Sequence, residues 1–489
     1  ALRTDLYGHL LTLDLEFYDR NKTGELMAHS VNDINAVRMA IGFGFIILID
    51  ITVLGIAGLI MMFNISPKLT VYALIPLPIL TLISTRFGRM IHRYFEKVQE
   101  SFALLTERVR ENLSGIRIVK IFVQEEAEKE KFQRLSQEYV DKNKKLIRIW
   151  GLFFPLVMFF AALGEVLVLW LGGRLVISGE ISIGSFVAFI AYLQILVWPM
   201  MAIGWAINLF QRGGASQQRL QRIFDTTFDI KDGNRTLTAV QGGIELKNVS
   251  FRYTSKNRNA IDDVSIKIEP RQMIGITGPI GCGKTTLINL LLRLYEPQAG
   301  AISIDGNNIK DLNFNDLRYN IAYVPQDTFL FSDTIAANIA FGRNDYQYAD
   351  LERVTKVAHI YDEIMALPDS FKTQVGERGI TLSGGQKQRV ALARALLLDR
   401  PILILDDAFS SVDAETERKI LGSIRSELKS RTSIIISHRV FVLQDADSIF
   451  VLDNGRITEQ GTHQQLLTLD GLYREIFEIQ QIEKTLGAD

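Results

Sequence analysis

At 489 residues the chain is too long for one ordinary domain, and its apolar share of 47% and mean hydropathy of +0.13 are concentrated in the first half. A net charge of −1 supplies no basic field to recruit nucleic acid, and a single cysteine, Cys282, excludes an intramolecular disulfide and suits a reducing compartment. The opening ALRTDLYGHL carries no secretory leader pattern.

Four apolar stretches follow, at 41–63, 69–85, 152–173 and 184–210, and their only charges are Asp50 and Glu165. Each approaches the roughly 17–25 residues of a membrane-crossing helix, so a lipid bilayer is the expected surrounding. Ionisable groups at membrane depth mark either a pathway or a pair. Asp50 and Glu165 thus pair with each other or with a polar residue such as Gln194, or they recognise cations. Segment 86–150 holds 15 Lys and Arg, against one, Lys68, in the connections 64–68 and 178–183. The basic segment therefore faces the cytoplasm, as do both ends of this four-span arrangement.

Within 86–150, Phe102, Leu105, Val109 and Leu113, then Ile116, Val119 and Phe122, recur at helical spacing. The spacing predicts two membrane helices extended into a cytoplasmic stalk and joined by a turn near 114–126. A second such turn is expected near 19–24. Hydrophobicity falls after 210, where Gln211-Arg212-Gly213-Gly214 marks the exit. The expected division is a membrane domain over 1–225, a linker over 226–243, a nucleotide-binding domain over 244–480 and a tail over 481–489.

In the second half, 244–253 and 261–268 alternate as exposed-edge strands do, and 273–277 reads as a buried strand. The loop Gly278-Pro-Ile-Gly281-Cys282-Gly283-Lys284-Thr285-Thr286 and a helix from Lys284 to Leu294 follow. Strand, glycine loop and helix in this order form a phosphate-binding loop. Glycines let backbone N–H groups converge on phosphates, Lys284 brings a point charge to them, and the Thr285 hydroxyl suits Mg²⁺. Cys282 is either a small loop residue or a redox sensor at a helix N-terminus. Leu382-Ser383-Gly384-Gly385-Gln386 is a second phosphate-type helix start. Continuous apolar runs at 402–405 and 433–436 predict parallel strands covered on both faces, ending in Asp406-Asp407 and Ser437-His438.

With these motifs in one order, the chain resembles one half of an ATP-binding cassette (ABC) exporter. The resemblance implies an all-α transmembrane domain with long cytoplasmic helical extensions. After it comes an α/β P-loop (RecA-like) ABC domain with β and α-helical subdomains. It implies ATP and Mg²⁺, with Tyr253 stacking on adenine and Gly278, Gly281, Cys282, Gly283, Lys284, Thr285 and Thr286 around the phosphates. Gln326 would sense Mg²⁺, Asp406 would hold it through water, and His438 would contact the γ-phosphate. Ser383, Gly384, Gly385 and Gln386 would close over a partner's nucleotide, with Asp413 in the inter-subunit loop. Thr373–Gly379, with Glu377, would contact the stalks.

Two departures stand out. Asp407 occupies the position where fully active members carry the glutamate that orients or deprotonates water. Aspartate is one methylene shorter, and a misplacement of about 1 Å can cost roughly a hundredfold in rate. The resemblance then implies a degenerate site and a different partner chain that keeps the glutamate. The second departure is in span number: such chains have six membrane helices, and the first two are expected upstream of residue 1. The implied activity is ATP-driven export of hydrophobic or amphipathic compounds; lipid flipping, peptide export and a regulatory ATP-binding role are the alternatives. A soluble DNA-repair ATPase is excluded by the four apolar stretches.

Overall fold

Helices α1 (Leu2–Thr12), α2 (Leu15–Arg20) and α3 (Thr23–Ala28) lead through one π-helical turn, His29–Asp33, into α4 (Ile34–Ile65). After α5 (Pro67–Leu74) and α6 (Pro76–Ser114), the short α7 (Ile116–Ile121) connects to α8 (Glu125–Ile177) and α9 (Ile183–Phe224). The computed structural model describes residues 2–227, 230–237, 239–376 and 382–486. It divides into two compact units, Ala1–Leu13 with Asn21–Thr227, and Asp14–Arg20 with Phe228–Asp489.

In the first unit, four helical stretches are long and apolar enough to cross a membrane: Thr23–Ile65, Pro67–Ser114, Glu125–Ile177 and Ile183–Phe224. The second is not continuous, because Pro76 removes a backbone donor and breaks the predicted 69–85 span into α5 and α6. At 53 residues α8 is about 80 Å long, well beyond a bilayer's hydrocarbon thickness. The stalk turn falls at α7, as its spacing predicts. Apolar side chains such as Ile46 and Phe159 point outward, while Met62, Leu80, Phe189 and Leu196 fill the interior.

Helices α4 and α9 approach closely through small residues, as helices do where both sides are apolar. A Cβ on Gly213 would sit 2.4 Å from the Ala40 Cβ. Gly213 is therefore a packing contact inside α9, which continues as helix through the exit marked by Gln211–Gly214. Beside it Asp33, only 6% exposed, takes bonds from Arg219 Nε (2.9 Å), Arg219 Nη2 (2.6 Å) and Ser216 Oγ (2.9 Å). His29 Nδ1 lies 2.6 Å away on the same π turn. The Arg219 guanidinium holds the Asp33 carboxyl far below the usual carboxylate range. Within the spans, Glu165 accepts from Gln194 Nε2 (3.0 Å) and Asp50 from Trp198 Nε1 (3.1 Å), so the two acids do not pair with each other.

The second unit contains two sheets. One is antiparallel, in the order β2 (Ile261–Ile268), β1 (Ile244–Phe251), β4 (Ala299–Ile304), β5 (Asn307–Asn308). Strand β1 pairs with β2 on one side and β4 on the other, so it is internal, and its alternation reflects one buried face and not an edge. The other sheet runs β10 (Arg456–Gly461), β9 (Ser448–Asp453), β3 (Met273–Thr277), β8 (Thr432–Ile436), β7 (Ile402–Asp406), β6 (Ile321–Val324). It is parallel from β9 to β6. Ile402 and Ile404 enter one core while Leu403 and Leu405 enter the other, which is why the run is apolar without alternation.

Helix α10 (Lys284–Leu291) ends three residues before the expected Leu294, because Arg293 turns to φ 51°. Helices α11 (Phe314–Tyr319), α12 (Ile335–Ile339), α13 (Tyr348–Val357) and α14 (Tyr361–Met365) precede α15 (Gly384–Leu398) and α16 (Ala414–Ser430). Helices α17 (Val440–Leu443), α18 (His463–Thr468) and α19 (Leu472–Leu486) complete the unit. The tail expected from 481 thus begins inside α19. Residues 377–381, including Glu377, lie outside the described residues.

Candidate nucleotide site

Parallel strands of an open sheet place their following loops along one edge, and ligands of such sheets lie at the carboxyl ends. Here the ends of β3, β6, β7 and β8 deliver the glycine loop, Gln326, Asp406-Asp407 and Ser437-His438. Tyr253, Gly281, Gly283, Lys284, Thr285, Thr286, Gln326, Asp406, Asp407 and His438 line one cleft of about 630 Å³. Two glycines of the loop are indispensable. Gly278 has φ 145° and a Cβ there would lie 1.9 Å from the Leu452 carbonyl oxygen; Gly283 has φ 113° and its Cβ would lie 2.4 Å from that of Ala260.

Lys284 is buried, and its Nζ donates to the carbonyls of Gly278 (2.9 Å) and Pro279 (3.0 Å). This spans the loop and presents the ammonium group at the phosphate position. Cys282 is buried with its Sγ 3.7 Å from Lys284 Nζ, and burial pushes its thiol up despite the neighbouring ammonium. A buried thiol pushed upward favours the small-residue reading over a redox sensor.

Tyr253 packs edge-on to Phe251 and Tyr295, with ring centroids 4.9 and 5.2 Å away, and its hydroxyl meets Thr286 Oγ1 at 3.0 Å. Within the same unit α2 seats beside this cluster, through Glu16 with Thr254 and Asp19 with the Tyr295 hydroxyl. The turn expected near 19–24 thus delivers α2 to the aromatic end of the cleft.

Asp406 is 1% exposed; burial pushes its carboxyl up, against bonds from the Thr285 and Tyr323 hydroxyls. Asp407 sits at φ 43°, and its Oδ1 accepts the His438 backbone N–H (3.2 Å) while its Oδ2 lies 3.3 Å from His438 Nε2. Burial and the charge of Lys284 lower the histidine's pKa, and Asp407 opposes them.

Ser383 caps α15 in a reciprocal box with Gln386, and Gly384 and Gly385 pack against Ser411. None of these four residues lines the cleft. Asp413 caps α16 through Thr416.

Residues 1–200 match the family model described as ABC transporter transmembrane region, and 261–410 the one described as ABC transporter. The chain is 41% identical over 483 residues to a probable multidrug resistance ABC transporter ATP-binding/permease protein, YheI, of Bacillus subtilis (strain 168). That alignment covers 98% of this chain and 83% of the relative. It is 37% identical to the multidrug resistance-like ATP-binding protein MdlA of Escherichia coli (strain K12), over 99% of this chain and 82% of MdlA. A 33% identity links it to an ATP-dependent lipid A-core flippase of Ralstonia nicotianae, over 98% and 81% of the two chains. Among solved structures, a bacterial Atm1-family ABC exporter with ATP bound matches with TM-score 0.81 and 30% identity, over 98% of this chain and 84% of that one.

The chain is an ABC transporter. It is a half-transporter of the exporter fold, a multi-pass membrane protein with one cytoplasmic ATP-binding domain, and ATP use is coupled to transport.

Three groups in this transporter escaped the sequence reading. Tyr323, half-buried with its hydroxyl 3.4 Å from Asp406, is an ordinary strand aromatic by pattern. Gln388 holds the loop below the signature, donating to Ser410 Oγ (2.8 Å) and accepting from Ser411 N (2.9 Å). Glu417, fully buried and paired with Arg439, looks like a surface residue of a charged helix start. Only its place in the first turn of α16, four residues after the cap Asp413, sets it apart in the sequence.

Proposed function

We propose that this chain is one half of a heterodimeric exporter that moves hydrophobic or amphipathic compounds by alternating access. In this reading it binds ATP at a site that hydrolyses slowly, and completes the hydrolytic site of a different partner. The carrying observation is Asp407. The short carboxylate is engaged by the His438 N–H at 3.2 Å and faces the ring at 3.3 Å. It therefore has less reach toward an attacking water than glutamate, whose extra methylene would carry the carboxylate past the histidine backbone. The signature Ser383-Gly384-Gly385-Gln386 lies away from the cleft, which supports sites shared between two subunits. The multidrug names of the relatives support the compound class, and the lipid A-core flippase keeps an amphipathic lipid within it.

Tyr253 would stack on adenine, Lys284 and the glycine-loop N–H groups would bind phosphates, and His438 would contact the γ-phosphate. The donors Thr285, Asp406 and Gln326 are oxygen groups of the kind Mg²⁺ prefers, and a cation would favour the ionised form of buried Asp406. When bound, Mg²⁺ supplies positive charge to the β- and γ-phosphates.

The test uses the chain assembled with a partner whose catalytic glutamate is changed to glutamine. In that background the parent should hydrolyse ATP slowly, and Asp407→Glu should raise turnover by about tenfold or more. A parent that already turns over at full rate, or a revertant that gains nothing, sinks the degenerate-site reading. Ser383→Ala with an unaltered partner should cut hydrolysis far more than Asp407→Ala, and equal losses would mean two equivalent sites.

A further inference from the structure

The loop carrying His438 spans only Ser437 to Arg439 between β8 and α17, and two side chains from elsewhere in the unit hold it. Gln480 of α19 donates its Nε2 to the His438 carbonyl (2.6 Å), and its Oε1 accepts the Val440 N–H (2.9 Å). One carboxamide thus brackets residue 439 on both sides. The Arg439 side chain enters a second grip. Its Nη1 donates to Glu417 Oε2 and lies 3.5 Å from the Val412 carbonyl, while its backbone N–H donates to Ser437 Oγ (3.0 Å).

Glu417 is fully buried, and its second oxygen, Oε1, has no hydrogen-bond partner among the described residues. It lines a cavity of about 250 Å³ together with Gln326, Asp407, His438 and Arg439. A buried acid with one oxygen unsatisfied costs stability, since an unpaired polar atom forfeits its hydration. Ordinary helix packing gives no reason to place it there. The arrangement instead fixes the one loop whose ring stands over the cleft. Burial pushes the Glu417 carboxyl up, and the Arg439 charge opposes this.

We propose that Glu417 and Gln480 are positioning residues for His438, one through the Arg439 side chain and the other through the loop backbone. They hold the imidazole where it distinguishes a nucleotide with a γ-phosphate from one without. The proposal rests on the reading of His438 as the γ-phosphate contact. Neither residue touches nucleotide; both act through the loop. Because the second grip includes the Val412 carbonyl, one residue before the helix cap Asp413, it also ties the histidine to the segment 410–412.

The experiment uses the full chain with its partner subunit in lipid nanodiscs, with Mg²⁺ present. Photo-labelling of this chain by azido-ATP is competed with AMP-PNP or with ADP, and the ratio of the two affinities is read. His438→Ala should lower the preference for AMP-PNP by about tenfold, the size of one lost hydrogen bond to a charged group. Gln480→Ala and Glu417→Gln should each lower it by at least about threefold, leaving ADP competition unchanged, as loss of positioning in place of contact predicts. Gln480→Glu keeps the acceptor for Val440 but sets an oxygen against the His438 carbonyl, so it should do more harm than Gln480→Ala.

A merely structural role would weaken AMP-PNP and ADP alike, and that result overturns the proposal. So does an unchanged preference in Gln480→Ala, a partly exposed site whose change leaves the core intact should Glu417→Gln fail to fold. If His438→Ala itself leaves the preference unchanged, the γ-phosphate reading fails first and the positioning proposal falls with it.

Discussion

Asp33 in the membrane unit and Asp406 in the ATP-binding unit are both buried, yet their surroundings push them in opposite directions. Asp33 receives two guanidinium bonds from Arg219 and one from Ser216, and its carboxyl is held far below the usual range. Among the described residues Asp406 receives the hydroxyls of Thr285 and Tyr323, with Lys284 acting at longer range, and burial prevails. The first acid is satisfied within the chain and clasps α4 to α9. The second lines the cleft, and under the proposed function it is satisfied by what the cleft takes up. Burial alone therefore does not distinguish a structural carboxylate from a functional one; the neighbouring donors do.

The largest effect that could break this comparison is Lys284→Ala. Removing the ammonium that spans the loop should weaken azido-ATP labelling of this chain by more than about tenfold, while the thermal transition of the membrane unit stays in place. Full retention of labelling would mean that the cleft is not organised around Lys284.

Asp33→Asn is the matching test in the membrane unit. It should cost about 1–3 kcal/mol, a loss typical of hydrogen bonds to charged groups. The lower half of that range is expected because the Arg219 side chain is 45% exposed and can turn to water. The thermal midpoint of the detergent-solubilised chain should fall, with azido-ATP labelling retained. A midpoint within error of the parent's would remove the clasp from the account.

The smallest effect sharpens the comparison through pH. Asp33 titrates below its unfolded value near 3.9, so its contribution is fully present above that value and lost only in stronger acid. The membrane unit should therefore be insensitive to Asp33 between pH 7.5 and 5.5. Burial instead lowers the pKa of His438 and His463 in the ATP-binding unit. Their unfolded forms take up protons first as pH falls through about 6.5, so that unit loses stability below this value. Both rings are partly exposed, which limits the shift to roughly 1–2 °C in midpoint. The pair His438→Gln with His463→Gln should flatten the dependence, and an unchanged slope would assign it to other groups.

Much of the membrane unit was legible because hydropathy and length are local properties. A run such as 184–210 commits to a helix before it has any neighbours. The same run could not show that Gly213 packs on Ala40, or that Gln194 and Trp198 would take Glu165 and Asp50, since partners on other helices depend on how those helices meet. In the ATP-binding unit, the glycine loop was legible because only glycine fits φ 145° at 278 and the approach of Ala260 at 283. Asp407 was also legible by position, because its neighbours 402–406 fix the strand.

The sequence by itself determined the apolar helices, the phosphate loop, the parallel strands and the carboxylate pair, each the product of spacing within one segment. Only the tertiary structure decided that β1 is internal, that α2 seats beside Tyr253, and that Glu417 and Gln480 grip the His438 loop. Those facts join residues from 10 to more than 200 positions apart. No local pattern encodes them, because the free energy that selects them comes from burying and pairing groups that meet only once the sheets and helices have assembled.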